Sequence, residues 1–348
     1  MDDVMREAAC RWLATAWGLR HARLEPIPSG HTNSSFLVHG ASGVLRVGWA
    51  GKSTAQVARE TRMLRHLAGR MGAVAIPTMR ATRRGTYHVR TGDGRHLHVF
   101  DRIDGVPAAY RRPSLAVERA MRSLVALHAA MSSVAVGRAG SMDWLAARHG
   151  RLARPSATFT SGTDDAVIGR IGALMQAART WMAGPIQWLH GDYHAGNLLF
   201  DDDRLLGIVD FDGTGVGSAW LEAAFAAFAL ARDVSDEHDL RIDTSLWRHA
   251  IETYADAAGL SDAGWWHRHR EDLRQLFCAD QVLIHLEAAR RGWWSPGPGM
   301  GFLGPWRALC APSCVDSHNL TAATVASRAS PRGEASCRQI TTSLPRAR

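Results

Sequence analysis

The stretch Trp188-Leu189-His190-Gly191-Asp192-Tyr193-His194-Ala195-Gly196-Asn197-Leu198-Leu199-Phe200, followed by Ile208-Val209-Asp210-Phe211-Asp212, is where this sequence is most informative about chemistry. Leu198 to Phe200 and Leu205 to Val209 read as two short apolar strands joined by Asp201 to Arg204. A hairpin centred between Asp203 and Arg204 sets Asn197 opposite Asp210, and directly opposed residues have Cβ atoms roughly 5 Å apart. An amide oxygen and a carboxylate that close suit a hard, oxygen-seeking cation such as Mg²⁺, which phosphoryl transfer needs to neutralise phosphates. Asn197 and Asp210 are therefore the expected metal ligands. Asp192 lies on the loop just before the hairpin, where a carboxylate can take the proton of an attacking hydroxyl. His194 is near enough in sequence to touch a γ-phosphate or a substrate oxygen, while His190 is expected to fix the loop through backbone hydrogen bonds. Any one of these residues could be a turn cap beside a core hairpin. The order His-x-Asp-x-x-x-x-Asn, strand, turn, strand, Asp makes the joint coincidence small.

Such residues need a scaffold, and the composition supplies one. The chain has 348 residues, 46% hydrophobic and 21% charged, enough for a globular protein of two lobes. No apolar run approaches the roughly 20 residues needed to cross a bilayer. Asp2, Asp3, Arg6 and Glu7 stand where a leader would carry a basic and then an apolar segment, so a cytoplasmic chain without a membrane partner is expected. The cysteines Cys10, Cys278, Cys310, Cys314 and Cys337 are odd in number and scattered, which argues against a disulfide framework. Cys310, Cys314 and His318 have helical spacing but no evident fourth partner for zinc. The formal charge is +8, yet six Arg against Asp316 and Glu334 from position 307 onward supply +4 of it. The remaining Arg residues are spread along the chain, Lys52 is its one lysine, and no basic stripe with interleaved aromatics suggests a nucleic-acid partner.

The pattern along the chain divides it in two. Residues 3–17 read as an amphipathic helix ended by Gly18. Short apolar runs at 23–27, 35–39, 44–49, 84–90 and 95–100, separated by Gly-containing turns, suit a meandering antiparallel sheet. One helix interrupts it, opened by Ser53 and Gln56 at capping-box spacing and continued by Val57, Leu64 and Leu67. Beyond Gly105 the pattern is mainly helical, with helices expected at 114–131, 165–183, 218–231, 246–258 and 265–290. The expected lobes are residues 1–104 and 105–306, with 307–348 a disordered tail rich in Ser, Thr, Ala and Arg.

The His-Gly-Asp-x-x-x-x-Asn loop and the following Asp-Phe resemble those of the aminoglycoside phosphotransferase and choline kinase-like family of small-molecule kinases, over roughly residues 20 to 300. The resemblance implies an α+β, two-lobed protein-kinase-like fold, with a small antiparallel-sheet N-lobe and a larger, mainly helical C-lobe. It also implies use of ATP and Mg²⁺, with Asp192 as base and Asn197 and Asp210 on metal. The implied acceptor is a hydroxyl of a small, amine-bearing molecule, such as an aminoglycoside or other antibiotic, or an amino alcohol such as choline or homoserine. The alternative is a non-catalytic nucleotide-binding module of the same fold. A protein kinase is disfavoured, because eleven residues separate Asp210 from Glu222 and leave no room for a long activation loop.

Three further expectations follow. Glu60 faces inward on the stripe of its helix and needs a cation; Arg46, in the strand Val44 to Val47, is the candidate, standing where kinases have a strand Lys that holds phosphates. Gly30 and Asn33, between two strands, match the family's loose G-x-x-N pattern over the phosphates, and Asp101 and Ile103 fall where its hinge meets adenine. Asp280 and Glu287 interrupt an apolar helical stripe and point inward, each either paired with an Arg such as Arg290 or Arg291 or lining a wet pocket. By the resemblance, Asp280 takes an ammonium of the acceptor, with Glu287 and Asp233 or Asp236 nearby.

Overall fold

The computed structural model describes residues 3–27, 33–153, 162–233, 239–290 and 303–310. Helix α1 (Asp3–Trp12) runs on through a π-helical stretch, Leu13–Trp17, and ends at Gly18 in the left-handed region. Strands β1 (Arg23–Ile27), β2 (Ser34–His39) and β3 (Gly43–Val47) precede helix α2 (Thr54–Leu67), and β4 (Val89–Arg90) and β5 (His96–Asp101) follow it. They form one antiparallel sheet in the order β1-β2-β3-β5-β4.

Alternation along the strands separates two environments. Leu45, Val47, Leu97 and Val99 cluster with Ala9 and Leu13 of the first helix. Arg46 and its cross-strand partner His98 lie on the opposite side of the sheet, with Phe100. The capping box of α2 forms as its sequence indicates, with Ser53 and Gln56 bonding each other's backbone. Residues 84–90 contribute only Val89 and Arg90 to the sheet. Thr82 and Thr86 bond each other instead, through Thr82 N–H to the Thr86 carbonyl and Thr86 N–H to the Thr82 hydroxyl, so this backbone is satisfied within its own turn.

The remainder is mostly helical. Strand β6 (Val106–Pro107) leads into α3 (Pro113–Ser132), α4 (Asp143–Leu152) and α5 (Gly162–Ala178). Next come β7 (Ile186–Leu189), β8 (Leu198–Asp201), β9 (Arg204–Ile208) and β10 (Gly215–Ser218). Helices α6 (Ala219–Ala231), α7 (Thr244–Ala257), α8 (Gly264–Arg268), α9 (Arg270–Arg290) and α10 (Leu303–Cys310) complete the described chain. The α+β architecture is thus the one expected, a small antiparallel sheet followed by a larger helical part. We place the lobe boundary between Asp101 and Val106, where the first sheet stops and β6 turns to pair with β8. The two parts share a core, since Met63, Leu64 and Leu67 of α2 cluster with Leu124, Ile208, Phe211 and Phe228. Ala75 adds a backbone tie to β9, donating to the Leu206 carbonyl and accepting from Ile208 N–H.

Two helices depart from expectation. Helix α4 was not anticipated, and it lies beside β10, where Trp144 packs on Gly215 and Gly217. Residues 307–310, expected to begin an irregular tail, continue α10, because Leu309 finds a buried place and the Ala308 carbonyl accepts from Gln275 of α9. Residues 311–348 of that expected tail lie outside the described residues. Leu309→Ala should lower the unfolding free energy by about 2–4 kcal/mol. A denaturant midpoint equal to that of the unaltered chain would mean that α10 does not dock.

Candidate active site

The β8–β9 hairpin positions the catalytic candidates, but its register differs from the one expected. Asp201 pairs with Arg204, so the turn is Asp202-Asp203, and a bulge between Leu199 and Phe200 shifts the pairing to Leu198 with Ile208. Asp203 is fixed from far away in sequence. Its carboxylate accepts the N–H groups of Arg111 and Arg112 (3.0 and 2.8 Å) and the Arg112 guanidinium (2.7 Å). In consequence Asn197 stands level with Val209, whose N–H donates to the Asn197 carbonyl (2.9 Å). Asp210 is one residue further on, in the left-handed region at φ 62°, a conformation that Asp tolerates better than most residues. Asp210 thus reaches the site by a sharp turn after β9, not by direct opposition.

The loop that carries Asp192 is braced from beneath. Gly191 has φ 80°, and a Cβ there would collide with the Gly213 carbonyl, so only glycine fits. Its N–H donates to Glu222 Oε1 (2.5 Å), and His190 N–H donates to Glu222 Oε2 (3.2 Å). Glu222, at the start of α6, is buried and also bonded to His128 Nε2 (2.7 Å), whose other nitrogen meets the Tyr254 hydroxyl (2.8 Å). Burial alone would raise the Glu222 carboxyl, but His128 and the loop N–H hold it below its usual value. The His190 ring bonds the Val209 carbonyl (3.0 Å), the loop-fixing role expected of it.

Above this brace, the Asn197 amide donates to the backbone carbonyl of Asp192 (2.9 Å) and to its Oδ2 (3.2 Å). Gly196 N–H donates to His194 Nδ1, and the other ring nitrogen, Nε2, lies 3.6 Å from Asp192 Oδ2 and 3.1 Å from the Asn197 amide nitrogen. Burial works against ionising Asp192, yet His194, with His190 and Arg148 behind it, wins and holds the carboxyl well below its usual range. His194 shifts the opposite way: burial lowers it, but Asp192 and Asp210 raise it above its ordinary value.

Arg46 and Glu60 meet as the inward carboxylate required, and a second cation joins them. Arg46 Nη2 bonds Glu60 Oε1, and its Nη1 reaches Asp210 Oδ1 (3.3 Å). Lys52 Nζ bonds Glu60 Oε2 (2.8 Å) and also Asp212 Oδ1. Asn33 donates to the other Asp212 oxygen (3.1 Å). Against the effect of burial, the two cations hold Glu60 down to about 2. Asp210 is pushed up to about 6 by burial and by the neighbouring charges of Asp212, Asp192 and Glu60, with Arg46 opposing. Lys52 and Asp212 were missed in the sequence; the signals available were a solitary lysine and a second carboxylate two residues after Asp210.

The remaining candidates are less simply placed. Gly30 and Asp236 lie outside the described residues. The Asp101 side chain is bonded to Arg80 (2.7 Å) at the surface, so only backbone groups of this hinge could serve a nucleotide. Asp101 N–H and Arg102 N–H are already given to the Thr78 and Ser42 carbonyls, while Ile103 packs against Gly207. Asp280 and Glu287 point inward as expected, and each meets an arginine of α4; the Arg290 side chain and Arg291, named above as possible partners, lie outside what the structure describes. Asp280 is buried and paired with Arg148, and Glu287 takes a two-pronged contact from Arg151 (3.0 and 2.9 Å). Asp233 is exposed. Arg148 is a further residue that the sequence did not suggest. Glu222→Gln should lower stability by about 3 kcal/mol, since one oxygen cannot accept what two do now and a buried partner is left unpaired. A denaturant titration matching the unaltered chain would show that the loop does not rest on Glu222.

Three comparisons bear on this arrangement. An uncharacterised protein of Deinococcus radiodurans is 28% identical over 272 residues, 72% of this chain and 68% of that protein. Among solved structures, amicoumacin kinase hAmiN in complex with AMP-PNP, Ca²⁺ and Ami superposes with a TM-score of 0.62 at 14% identity, covering 92% of each chain. A microcompartment-associated aminopropanol kinase gives 0.62 at 21% identity over 92% of this chain and 98% of that one. At these identities the likeness is one of fold. The sequence model of the phosphotransferase enzyme family matches residues 23–277, which is most of the chain and runs from β1 through the Glu222 brace and the Asp210 turn into α9. On that match the chain belongs to the phosphotransferase enzyme family, and it is a small-molecule phosphotransferase.

Proposed function

We propose that the chain transfers the γ-phosphate of ATP, bound with Mg²⁺, to a hydroxyl of a small amine-bearing acceptor in the cytoplasm. The observation that carries this reading is the ionised Asp192, held on a loop braced by Glu222 and joined through Asn197 to the strand that precedes Asp210. A carboxylate kept ionised there can accept a hydrogen bond from the acceptor hydroxyl, orient it, and take its proton as the new bond forms. His194, beside Asp192, is suited to a phosphate or acceptor oxygen on the same side.

The donors fit a hard divalent cation. The Asn197 NH₂ group is committed to Asp192, which leaves Oδ1 for a metal, and Arg46 occupies one oxygen of Asp210 and leaves the other. Both are oxygen donors, and the raised Asp210 reflects a concentration of negative charge that a cation would relieve. Among the described residues no group of three or more His, Cys, Asp or Glu side chains is arranged to hold a metal. The rest of the shell would come from phosphate oxygens and water, the usual manner for Mg²⁺. When bound, Mg²⁺ supplies charge neutralisation at the phosphates.

The acceptor end is built on α4 and α9. Burial and the charge of Asp192 push the Asp280 carboxyl up to about 6, against the opposing effect of Arg148. An ammonium arriving at Asp280 therefore competes with Arg148 for a carboxylate that lacks full solvation. We take Asp280 as the acceptor's amine partner and Arg148 as the group that yields to it, with Glu287 held further out by Arg151.

The test is an ATP-consumption screen of purified protein against amine-bearing alcohols and antibiotics, with Mg²⁺ and with EDTA. Absence of metal-dependent turnover with every acceptor would count against the reading. With an active acceptor in hand, Asp192→Asn should lower kcat by about 10²- to 10⁴-fold with ATP affinity nearly unchanged; a kcat close to that of the unaltered enzyme would sink the base assignment. Asp280→Asn should raise KM for the acceptor about ten- to a hundredfold while KM for ATP holds. A fall in melting temperature with both KM values intact would make Asp280 a structural partner of Arg148 and nothing more.

A further inference from the structure

The ladder Asp210–Arg46–Glu60–Lys52–Asp212 contains one more cation than a single strand residue paired with a helix carboxylate requires. Each Glu60 oxygen has its own cation, and each cation reaches one carboxylate of the turn after β9. Lys52 comes from the connection between β3 and α2, not from the strand, and its side chain is 2% exposed. Its stem lies against Gly48. Arg46, in contrast, projects from β3 over the Phe100 ring (4.9 Å) and is the cation that touches the proposed metal ligand Asp210.

We propose that Lys52 is a positioning residue that holds Glu60 and Asp212 together, so that Arg46 can leave Asp210 and turn to the nucleotide phosphates when Asp210 carries a divalent cation. This rests on the ATP and Mg²⁺ reading above. Two physical requirements lead to it. A buried carboxylate left without a cation is strongly destabilising, so any movement of Arg46 away from Glu60 needs a second cation already in place. Lys52 is that cation. Neutralising Glu60 does not, however, require Lys52 to reach Asp212 as well. That second arm, with Asn33 on the other Asp212 oxygen (3.1 Å), fixes the Asp210-Phe211-Asp212 turn to groups on the N-terminal side of the site. Lys52 thereby acts on the metal through the turn that carries Asp210, as residues behind a metal ligand do.

Calorimetry of the full chain with a non-hydrolysable ATP analogue, in Mg²⁺ and in EDTA, separates the possibilities. Lys52→Met should weaken Mg²⁺-dependent nucleotide affinity about ten- to a hundredfold, with no loss in EDTA. Asp212→Asn should also weaken that affinity, and the double variant should lose no more than Lys52→Met alone, because the Lys52–Asp212 contact is already gone in that variant. Equal affinity for Lys52→Met and the unaltered chain in Mg²⁺ overturns the proposal. A loss of the same size in EDTA also overturns it, since Lys52 would then touch phosphate itself. Should Lys52→Met fail to fold, Asp212→Asn carries the test alone, because it keeps the shape of the turn; unchanged Mg²⁺-dependent affinity there would be decisive against the role. An unaltered chain that binds no Mg²⁺-nucleotide overturns the ATP and Mg²⁺ reading and this role with it, whereas normal binding with unaffected variants overturns only the role of Lys52.

Discussion

Glu60 is buried between a sheet and a helix, and cations on both of its oxygens hold it ionised against the effect of burial. Much of the site's construction follows from that constraint. Satisfying it draws Arg46 inward from β3 and Lys52 inward from the loop behind it. Two cations placed there in turn attract Asp210 and Asp212 from a turn more than 150 residues later, so the turn of Asp210 to Asp212 is located by the same charges that keep α2 against the sheet. The cluster holds three carboxylates and two cations, and is therefore left with excess negative charge beside Asp192. A site of that kind favours a cation and, through it, phosphate.

The loop that carries Asp192 is held in a different way. Glu222 is also buried, but its partners are backbone N–H groups and His128, so the loop it supports is fixed by hydrogen bonds and not by opposed charge. The division has a chemical logic. Glu222 accepts from the backbone N–H groups of His190 and Gly191, and so fixes this loop without a further cation beside Asp192 that would lower its basicity. The backbone tie of Ala75 to β9 and the shared core around Leu64 and Phe211 keep the two halves in one register.

What could be read in the sequence was local, and what could not was set by distant partners. Asp192, Asn197 and Asp210 lie close together on one loop and hairpin, so spacing alone suggested them, and Glu60 was visible as a charge on an apolar stripe. The hairpin register was not, because it depends on Asp203 being held by Arg111 and Arg112, more than 90 residues earlier. Lys52 sits in a connection with no periodicity, and its partner Asp212 is 160 positions away. Helix α4 is ten residues long and contains Gly150, a weak helical signal. Missing it also hid Arg148, 132 positions from Asp280. The inward stripe on α9 correctly implied partners for Asp280 and Glu287, yet an amphipathic pattern says only that a charge is buried and never who answers it.

That last gap changes how the acceptor should be pictured. With Asp280 and Glu287 taken as open carboxylates, the proposed acceptor end would suit a molecule with several ammonium groups. The two ion pairs to α4 alter the balance, since each carboxylate facing that side brings an arginine, and Arg148 is close enough to Asp192 to help keep it ionised. Among the described residues, those four charges cancel. A polycation would have to face Arg148 and Arg151 at the same separations at which it sought Asp280 and Glu287, gaining little from the pairing. On the proposed reading, a small acceptor with one ammonium group would instead displace one arginine contact and place its hydroxyl near Asp192. If the acceptor also carries a negative group, the displaced Arg148 keeps a partner, and the exchange leaves no charge unpaired.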